Sequence, residues 1–395
     1  MILGTGKVPG WGYAGAQVGD VLYTSRNPGA GYLPANGGIY LQSAYPVLFS
    51  QIGLIGGQRA VSFTGKNATP PFQRMGFGEN GVVLGVSATP GSVGFLYRST
   101  DNGNTFTYLS TLPNTSQQIV QILHLGGSSW LFGINGLSLV YLSSDNGQTF
   151  SSSGSFGGTF AQAYADKAGT IILNTTNVVM RSINNCLIFS PLPTSLGCTV
   201  FSYAGAGRWI GTNPSISTSC YISDNAFSTG SGKALNGTLN GSLSLIDSDI
   251  NTGVTVIASA NGGTLITNLA TSYDRGESFG VGVINSAYPI LALKNLGADA
   301  WLAVCGQCGS TGAYELRKSI NGAKTFAQGP VGNTSQRPAE IIADPLKGQV
   351  ILNSQTAGTN SYSVSAPVLG YDGSSQFKVP TLSKQEGVTP YVRAA

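Results

Sequence analysis

Apolar runs along this chain are short and separated by turn formers. "VVL" at 82, "IIL" at 171, "VTVI" at 254 and "VIL" at 350 are bounded by Gly, Asn, Asp and Ser, the pattern of buried strands joined by tight hairpins. Three more runs are led by tryptophan: "WLF" at Trp130, "WIG" at Trp209 and "WLA" at Trp301. Between residues 118 and 153 the pattern predicts four consecutive strands, "QIVQILHL" (118 to 125), "SWLFGI" (129 to 134), "LVYLS" (139 to 143) and "TFSSS" (149 to 153). One segment has a helical period instead: "YPVLFSQIG" places Tyr45, Leu48, Phe49 and Ile52 on one face of a short helix. The predicted fold class is all-β, with a small α+β module at the front.

The turns repeat. "STDNGNTF" from Ser99 and "SSDNGQTF" from Ser143 share Ser at position 0, Asp at 2, Gly at 4, Thr at 6 and Phe at 7. The first gives Asp101, Gly103 and Phe106, and the second Asp145, Gly147 and Phe150. "SYDRGESF" keeps Asp274, Gly276 and Phe279; "SINGAKTF" has Asn321 and Phe326; "SINNCLIF" has Asn184 and Phe189; "GYDGSSQF" has Asp372 and Phe377. "SDNAFSTG" at 223 is the poorest, with Ser223 and Asn225 in place. The seven starts, 99, 143, 182, 223, 272, 319 and 370, lie 39 to 51 residues apart, the length of a four-stranded propeller blade. A carboxylate or carboxamide at position 2 accepts hydrogen bonds from its own turn, Gly at position 4 supplies positive φ, and the Phe anchors the outer strand. The rival reading, calcium-binding acidic loops, is disfavoured because some copies carry Asn and no loop gathers several carboxylates.

The octet resembles the Asp-box (BNR) repeat of sialidases and related β-propellers over roughly residues 61 to 380. That resemblance implies a seven-bladed β-propeller whose closure removes exposed sheet edges. Residues 1 to 60 form a separate module, and 381 to 395 a C-terminal tail. In the front module, Gly19-Asp20, Tyr32-Leu33, Asn36-Gly37, Tyr40, Tyr45-Pro46, Leu48-Phe49 and Ile52-Gly53 match the order and spacing of the tail-collar domain of bacteriophage tail fibres. Tyr32 replaces the usual Trp, and Ala35-Asn36 replaces Cys-Asp. The resemblance implies a virion structural protein of the tail, made in the host cytoplasm, with other phage tail proteins and a host surface glycan as partners. It also implies a homo-oligomer, trimers being common among tail fibres.

Composition narrows the classes. Only 9% of the 395 residues are charged, 56 are Gly, and 20 basic against 16 acidic residues give +4 with no Lys/Arg run, which disfavours nucleic acid. No stretch of 18 apolar residues occurs, so no membrane span is expected, and the first fifteen residues do not read as a secretory signal. Five widely spaced cysteines, Cys186, Cys198, Cys220, Cys305 and Cys308, argue against a disulfide framework and for a reducing compartment.

Candidate chemistry is sparse. A sialidase-like glycan-degrading enzyme is the alternative function, and it needs an arginine cluster to clamp the substrate carboxylate, an acidic general acid and a tyrosine activated by a glutamate. Arg74 in "FQRM" is the nearest match to the family's first arginine, displaced by one; Arg98, Arg181 and Arg317 precede repeat serines; Glu340 is the one glutamate expected on an inner strand. His124 is the only histidine, so no triad or His-rich metal site is expected around it, and "CGQC" (305 to 308) lacks a second pair for zinc. The three tryptophans share a repeat position and are expected in the core rather than as sugar platforms. The expectation is therefore a protein without catalytic residues, cofactor or metal, whose loops "TNPSISTSC" (212 to 220) and "QTAGTNSYS" (355 to 363) suit wet polar contacts.

Overall fold

The computed structural model describes residues 18 to 395 apart from 26, 55–57, 61, 69–70, 88–93, 114–116, 187, 193–196, 217, 238, 240–241, 261–266, 285–289, 298, 307–313, 329–337, 339, 355–361, 370–372, 374 and 380–388. The chain forms two compact units. One comprises Ala60–Asp344 and Gln349–Ala366; the other comprises residues up to Arg59 together with Pro345–Gly348 and Pro367–Ala395.

The larger unit holds seven four-stranded antiparallel sheets among the described residues. Their inner strands are Phe72–Phe77, Ile119–Gly126, Phe160–Ala165, Val200–Tyr203, Ser242–Ser248, Ile290–Gly297 and Glu340–Asp344. Each inner strand packs beside the next, and the seventh packs beside the first, so the sheets close into a ring. Six sheets are built from consecutive strands; the seventh takes Thr64–Lys66 as its fourth, with Thr64 opposite Val364 and Lys66 opposite Tyr362. The strands of the second sheet, Ile119–Gly126, Ser129–Ile134, Val140–Ser143 and Ser151–Ser152, follow the apolar runs of the sequence.

The sheets are held together by side chains that cross each seam. Trp130, Trp209 and Trp301 are all buried, and each packs in a cluster with residues of the preceding sheet. Burying an indole contributes roughly 4–6 kcal/mol of transfer free energy. The seam is tight: a Cβ on Gly78 of the first sheet would stand 2.5 Å from the Trp130 ring.

Six copies of the turn share one hydrogen-bonded geometry. In the first, the Ser99 hydroxyl donates to Asp101 Oδ1 (2.6 Å) and accepts the Gly103 N–H (2.9 Å), while the Thr105 N–H and hydroxyl donate to the two carboxylate oxygens (2.9 and 2.6 Å). Ser143–Asp145–Thr149 and Ser272–Asp274–Ser278 repeat it. In two copies with Asn at position 2 the side-chain contact to position 6 reverses its polarity. Asn225 and Asn321 donate Nδ2–H to the hydroxyls of Thr229 and Thr325 (both 2.8 Å). Asn184 accepts the Ser182 hydroxyl and the Ile188 N–H without a hydroxyl partner. The copy at 223, the weakest in sequence, is therefore complete in structure.

Positive φ at position 4 holds in all six copies, but three carry a Cβ there: Cys186, Phe227 and Ala323. Phe227 explains its own exception. That copy has Gly230 where the frame places Phe, and the fully buried Phe227 ring, 5.2 Å from Phe201, fills the core in its stead. Phe106, Phe150, Phe189, Phe279 and Phe326 pack into the sheet cores at position 7.

The seventh copy does not belong to the ring. Asp372 lies outside the described residues, and Phe377 sits in Gln376–Lys378, which pairs with Ile39–Leu41 in the smaller unit. Phe377 is fully buried there, 5.8 Å from the Phe49 ring and 6.3 Å from that of Tyr40, which meets Tyr45 edge-on at 5.7 Å. The expected boundaries at 380 and 381 fail for the same reason. Thr389–Arg393 is not a tail but the central strand of a three-stranded sheet between Val21–Thr24 and Tyr32–Pro34. The predicted helix spans Pro46–Ile52, with Pro46 in its first turn, Leu48 buried, and Tyr45, Phe49 and Ile52 against the same cluster. Gly53 follows at φ 62°, where a Cβ would meet the Leu346 carbonyl oxygen at 2.3 Å. Gly19 and Asp20 pair by backbone with Arg393, so the collar-like residues and the last strand share one small fold.

Two outcomes test this architecture. Partial burial pushes the turn carboxyls up, but their hydroxyl and N–H donors outweigh it, holding Asp101 and Asp274 below the usual range and Asp145 at about 2. A lowered folded pKa stabilises above the ordinary value of 3.8 and is lost as pH falls toward about 2. Thermal melting should therefore be flat near neutrality and fall across that window; Asp145→Asn should be nearly neutral at pH 7 and Asp145→Ala should cost about 1–2 kcal/mol. Phe377→Ala should cost about 3–5 kcal/mol in the smaller unit. Hydrogen exchange should then rise in Val21–Thr24 and Tyr32–Pro34 while the ring strands keep their protection.

Candidate functional site

Equivalent hairpins of successive sheets lie side by side. The Gly127 N–H donates to Glu79 Oε1 (3.2 Å), and Gly126 faces the Lys167 carbonyl oxygen. The inner strands therefore run the same way and line a channel, with their C-terminal ends at one mouth. A propeller concentrates recognition and chemistry on this channel and on the loops of its two faces.

Adjacent inner strands are linked by side chains that stand in for a backbone ladder. The Gln121 carboxamide donates to the Ala163 carbonyl (2.8 Å) and accepts the Ala163 N–H (2.7 Å). Gln73 accepts the Ile119 N–H (3.2 Å), and Arg74 Nε donates to the Val120 carbonyl (2.8 Å). Asp247 accepts the Asn295 N–H (2.6 Å) and pairs with Lys294 Nζ (3.1 Å). Glu340 Oε2 accepts from the Met75 N–H (3.2 Å) and from Asn353 Nδ2 (3.3 Å).

Arg74 and Glu340, the two residues weighed for catalysis, are thus brought together on the first and seventh inner strands. Arg74 also donates to the Gln73 carbonyl (2.9 Å). Burial pushes the Glu340 carboxyl up, against the opposing pull of Arg74, Asn353 and the Met75 N–H. Asp247 and Asp344 are the other inner-strand acids among the described residues. Counted from the hairpin ends, Glu340 pairs four residues before the end of its strand and Asp247 one, about 10 Å apart along the strand direction at ~3.3 Å per residue. Arg98, Arg181 and Arg317 lie on third strands, away from the channel wall; Arg181 reaches the next sheet's turn at the Asn225 carbonyl (2.9 Å).

At the mouth, Glu79, Lys167, Lys294 and Asp344 gather. Burial pushes the Lys167 ammonium down, and Asp344 and Glu79 pull it back up. His124 is buried beside Trp130 with ring centroids 4.8 Å apart, and its Nε2 meets the Gly127 carbonyl (2.9 Å). Burial pushes its pKa down, keeping the ring neutral at pH 7 with Nε2–H as donor. It is a locally bonded core histidine. Among the described residues no group of three His, Cys, Asp or Glu is placed to hold a metal. Cys305 is buried, and Cys308 lies outside the described residues.

On the opposite face a pocket of about 270 Å³ opens between the third and fourth sheets, lined by Asn174–Val179, Leu192, Gly197–Thr199 and Phe201. The loop at 212 to 220 joins strands of the fourth sheet on that same face, and residues 355 to 361 of the other polar loop lie outside the described residues. Sequence reading missed Gln121, Asp247 and Asn174. A lone polar residue in an otherwise apolar inner strand, as in "QIVQILHL", was the available signal for the first two.

Glu340 gives a direct check. A raised folded pKa favours the protonated form, so its contribution is greatest below the ordinary 4.5 and is lost as pH rises through the folded value. Glu340→Gln should therefore match or exceed the parent's melting temperature at pH 7 to 8 and lose that advantage near pH 4, by calorimetry across the range.

No protein-family model matches the sequence, and no curated protein matches it. Solved structures do. YCF48 bound to D1 peptide aligns at a TM-score of 0.56 and 13% identity over 80% of this chain and 100% of its own. The WD40 repeats of RRP9 align at 0.57 and 6% identity, covering 80% and 100%. A GH74 xyloglucanase from Xanthomonas campestris aligns at 0.50 and 12% identity, covering 81% of this chain and 58% of its own. These proteins differ in what they do, and at such identities the likeness concerns the fold alone. The ring is a β-propeller.

Proposed function

We propose that this chain is a non-catalytic attachment protein of a bacteriophage tail, a virion component whose propeller meets a host surface glycan and whose collar-like unit joins other tail proteins in a homo-oligomer. The observation that carries this reading is the segment Tyr45–Gly53. The residues that match the collar pattern, Tyr40, Tyr45, Pro46, Leu48 and Phe49, are those that build the helix and aromatic core of a unit separate from the propeller.

The non-catalytic half of the reading is supported by how the channel groups are used. Arg74 donates to two backbone carbonyls, and Glu340 accepts from a backbone N–H and an amide, so both help join neighbouring inner strands. Most glycoside hydrolases need two carboxyl groups flanking one bond, whereas a sialidase needs an acidic general acid and a tyrosine activated by a glutamate. Glu340 stands apart from Asp247 and Asp344, which lie nearer the hairpin ends of their strands. One observation favours the rival, a sialidase-like tail enzyme: the Glu340 carboxyl is pushed up beside an arginine, as a general acid requires.

Purified protein should bind host cells and leave fluorogenic sialosides and host polysaccharide intact, with binding unchanged in Glu340→Gln. Hydrolysis that disappears in Glu340→Gln or Arg74→Ala would replace this reading with the enzymatic one.

A further inference from the structure

The geometry points to the pocket between the third and fourth sheets as a binding site for one neutral sugar ring. This inference rests on the glycan-attachment reading and specifies where and what the propeller recognises.

None of the lining residues among those described is charged. A carboxylate-bearing sugar such as a sialic acid would find no cation there, and a phosphate no charge-assisted donor. What the pocket offers is a floor of Phe201 and Leu192, both buried, and a polar rim of Asn174, Thr176 and Asn177. The carboxamides of Asn174 and Asn177 have no hydrogen-bond partner among the described residues, while neighbouring Thr175 is committed to the Gly157 and Val178 carbonyls. A carboxamide presents a donor and an acceptor side by side, matching a pair of adjacent sugar hydroxyls, whereas the apolar floor suits the C–H face of a pyranose.

Size limits the ligand. Pockets for drug-sized molecules run roughly 300–1,000 Å³. At about 270 Å³ this one admits a single ring with its substituents, so a terminal sugar of a longer chain would enter while the remainder stays outside. The channel mouth is a weaker candidate, because Lys294 is paired with Asp247 and Lys167 is attracted by Glu79 of the first sheet and Asp344 of the seventh.

The test is saturation-transfer NMR on the full chain with a panel of neutral hexoses and N-acetylhexosamines, and with N-acetylneuraminic acid as the charged control. At least one neutral sugar should bind, and Asn177→Ala and Asn174→Asp should each weaken it at least tenfold, with melting temperatures and cross-sheet hydrogen exchange unchanged. Lys167→Met, at the opposite face, should leave the affinity as it is. Binding that survives both asparagine changes, or binding of the acidic sugar alone, overturns the assignment. Adhesion to host cells with no neutral sugar bound also overturns it while leaving the attachment reading standing. Failure of cell adhesion as well removes both.

Discussion

Everything in the larger unit depends on closing seven sheets into a ring, and that closure is made by pairing Thr64–Lys66 with Tyr362–Ser365. The two strands come from opposite ends of the ring segment, so the pairing joins the start of that segment to its end. Without it the seventh sheet has three strands and an open edge, a surface that templates association with other chains. The seam between any two sheets then becomes the unit of stability. Nonpolar side chains such as Trp130 fill it on the outside, and Gln121, Arg74, Asp247 and Glu340 bridge the inner strands where backbone groups face one another without a ladder.

Two kinds of polar chemistry therefore serve architecture. The turn needs an acceptor at position 2, and where a hydroxyl stands four residues on either an acid or an amide engages it, because the hydroxyl can donate or accept. The channel wall needs groups able to satisfy backbone N–H and C=O, and half-buried Glu340 does this at the seam between the seventh and first sheets. Charged groups that look suggestive as a list become, in place, partners of the backbone. On one face, by contrast, the carboxamides of Asn174 and Asn177 are unengaged among the described residues.

The all-β class, the strand runs of the second sheet and the helix at Pro46–Ile52 were legible because periodicity and turn residues are local signals. The turn at 223 was nearly lost, because the frame expects Phe at 230 while the ring that fills that core is Phe227, three residues earlier. Phe377 failed in the opposite direction. An aromatic seven residues after a glycine satisfies the frame by spacing alone, and only its partners Phe49 and Tyr40 reveal a different core. Thr64–Lys66 and Thr389–Arg393 were not readable at all, since each is a short strand whose partner lies far along the chain. The pocket was equally hidden, being made where the end of one sheet meets the start of the next.

A closed ring with its axial groups engaged, and a separate small unit built on the collar-like residues, suit a protein that displays a surface from a fixed anchor. The measurement that bears most directly on this account is electron microscopy of purified phage particles carrying an antibody label against the propeller. The account predicts label on the tail of intact particles, released when the smaller unit is disrupted by Phe377→Ala. Particles that infect normally and carry none of this protein would contradict it.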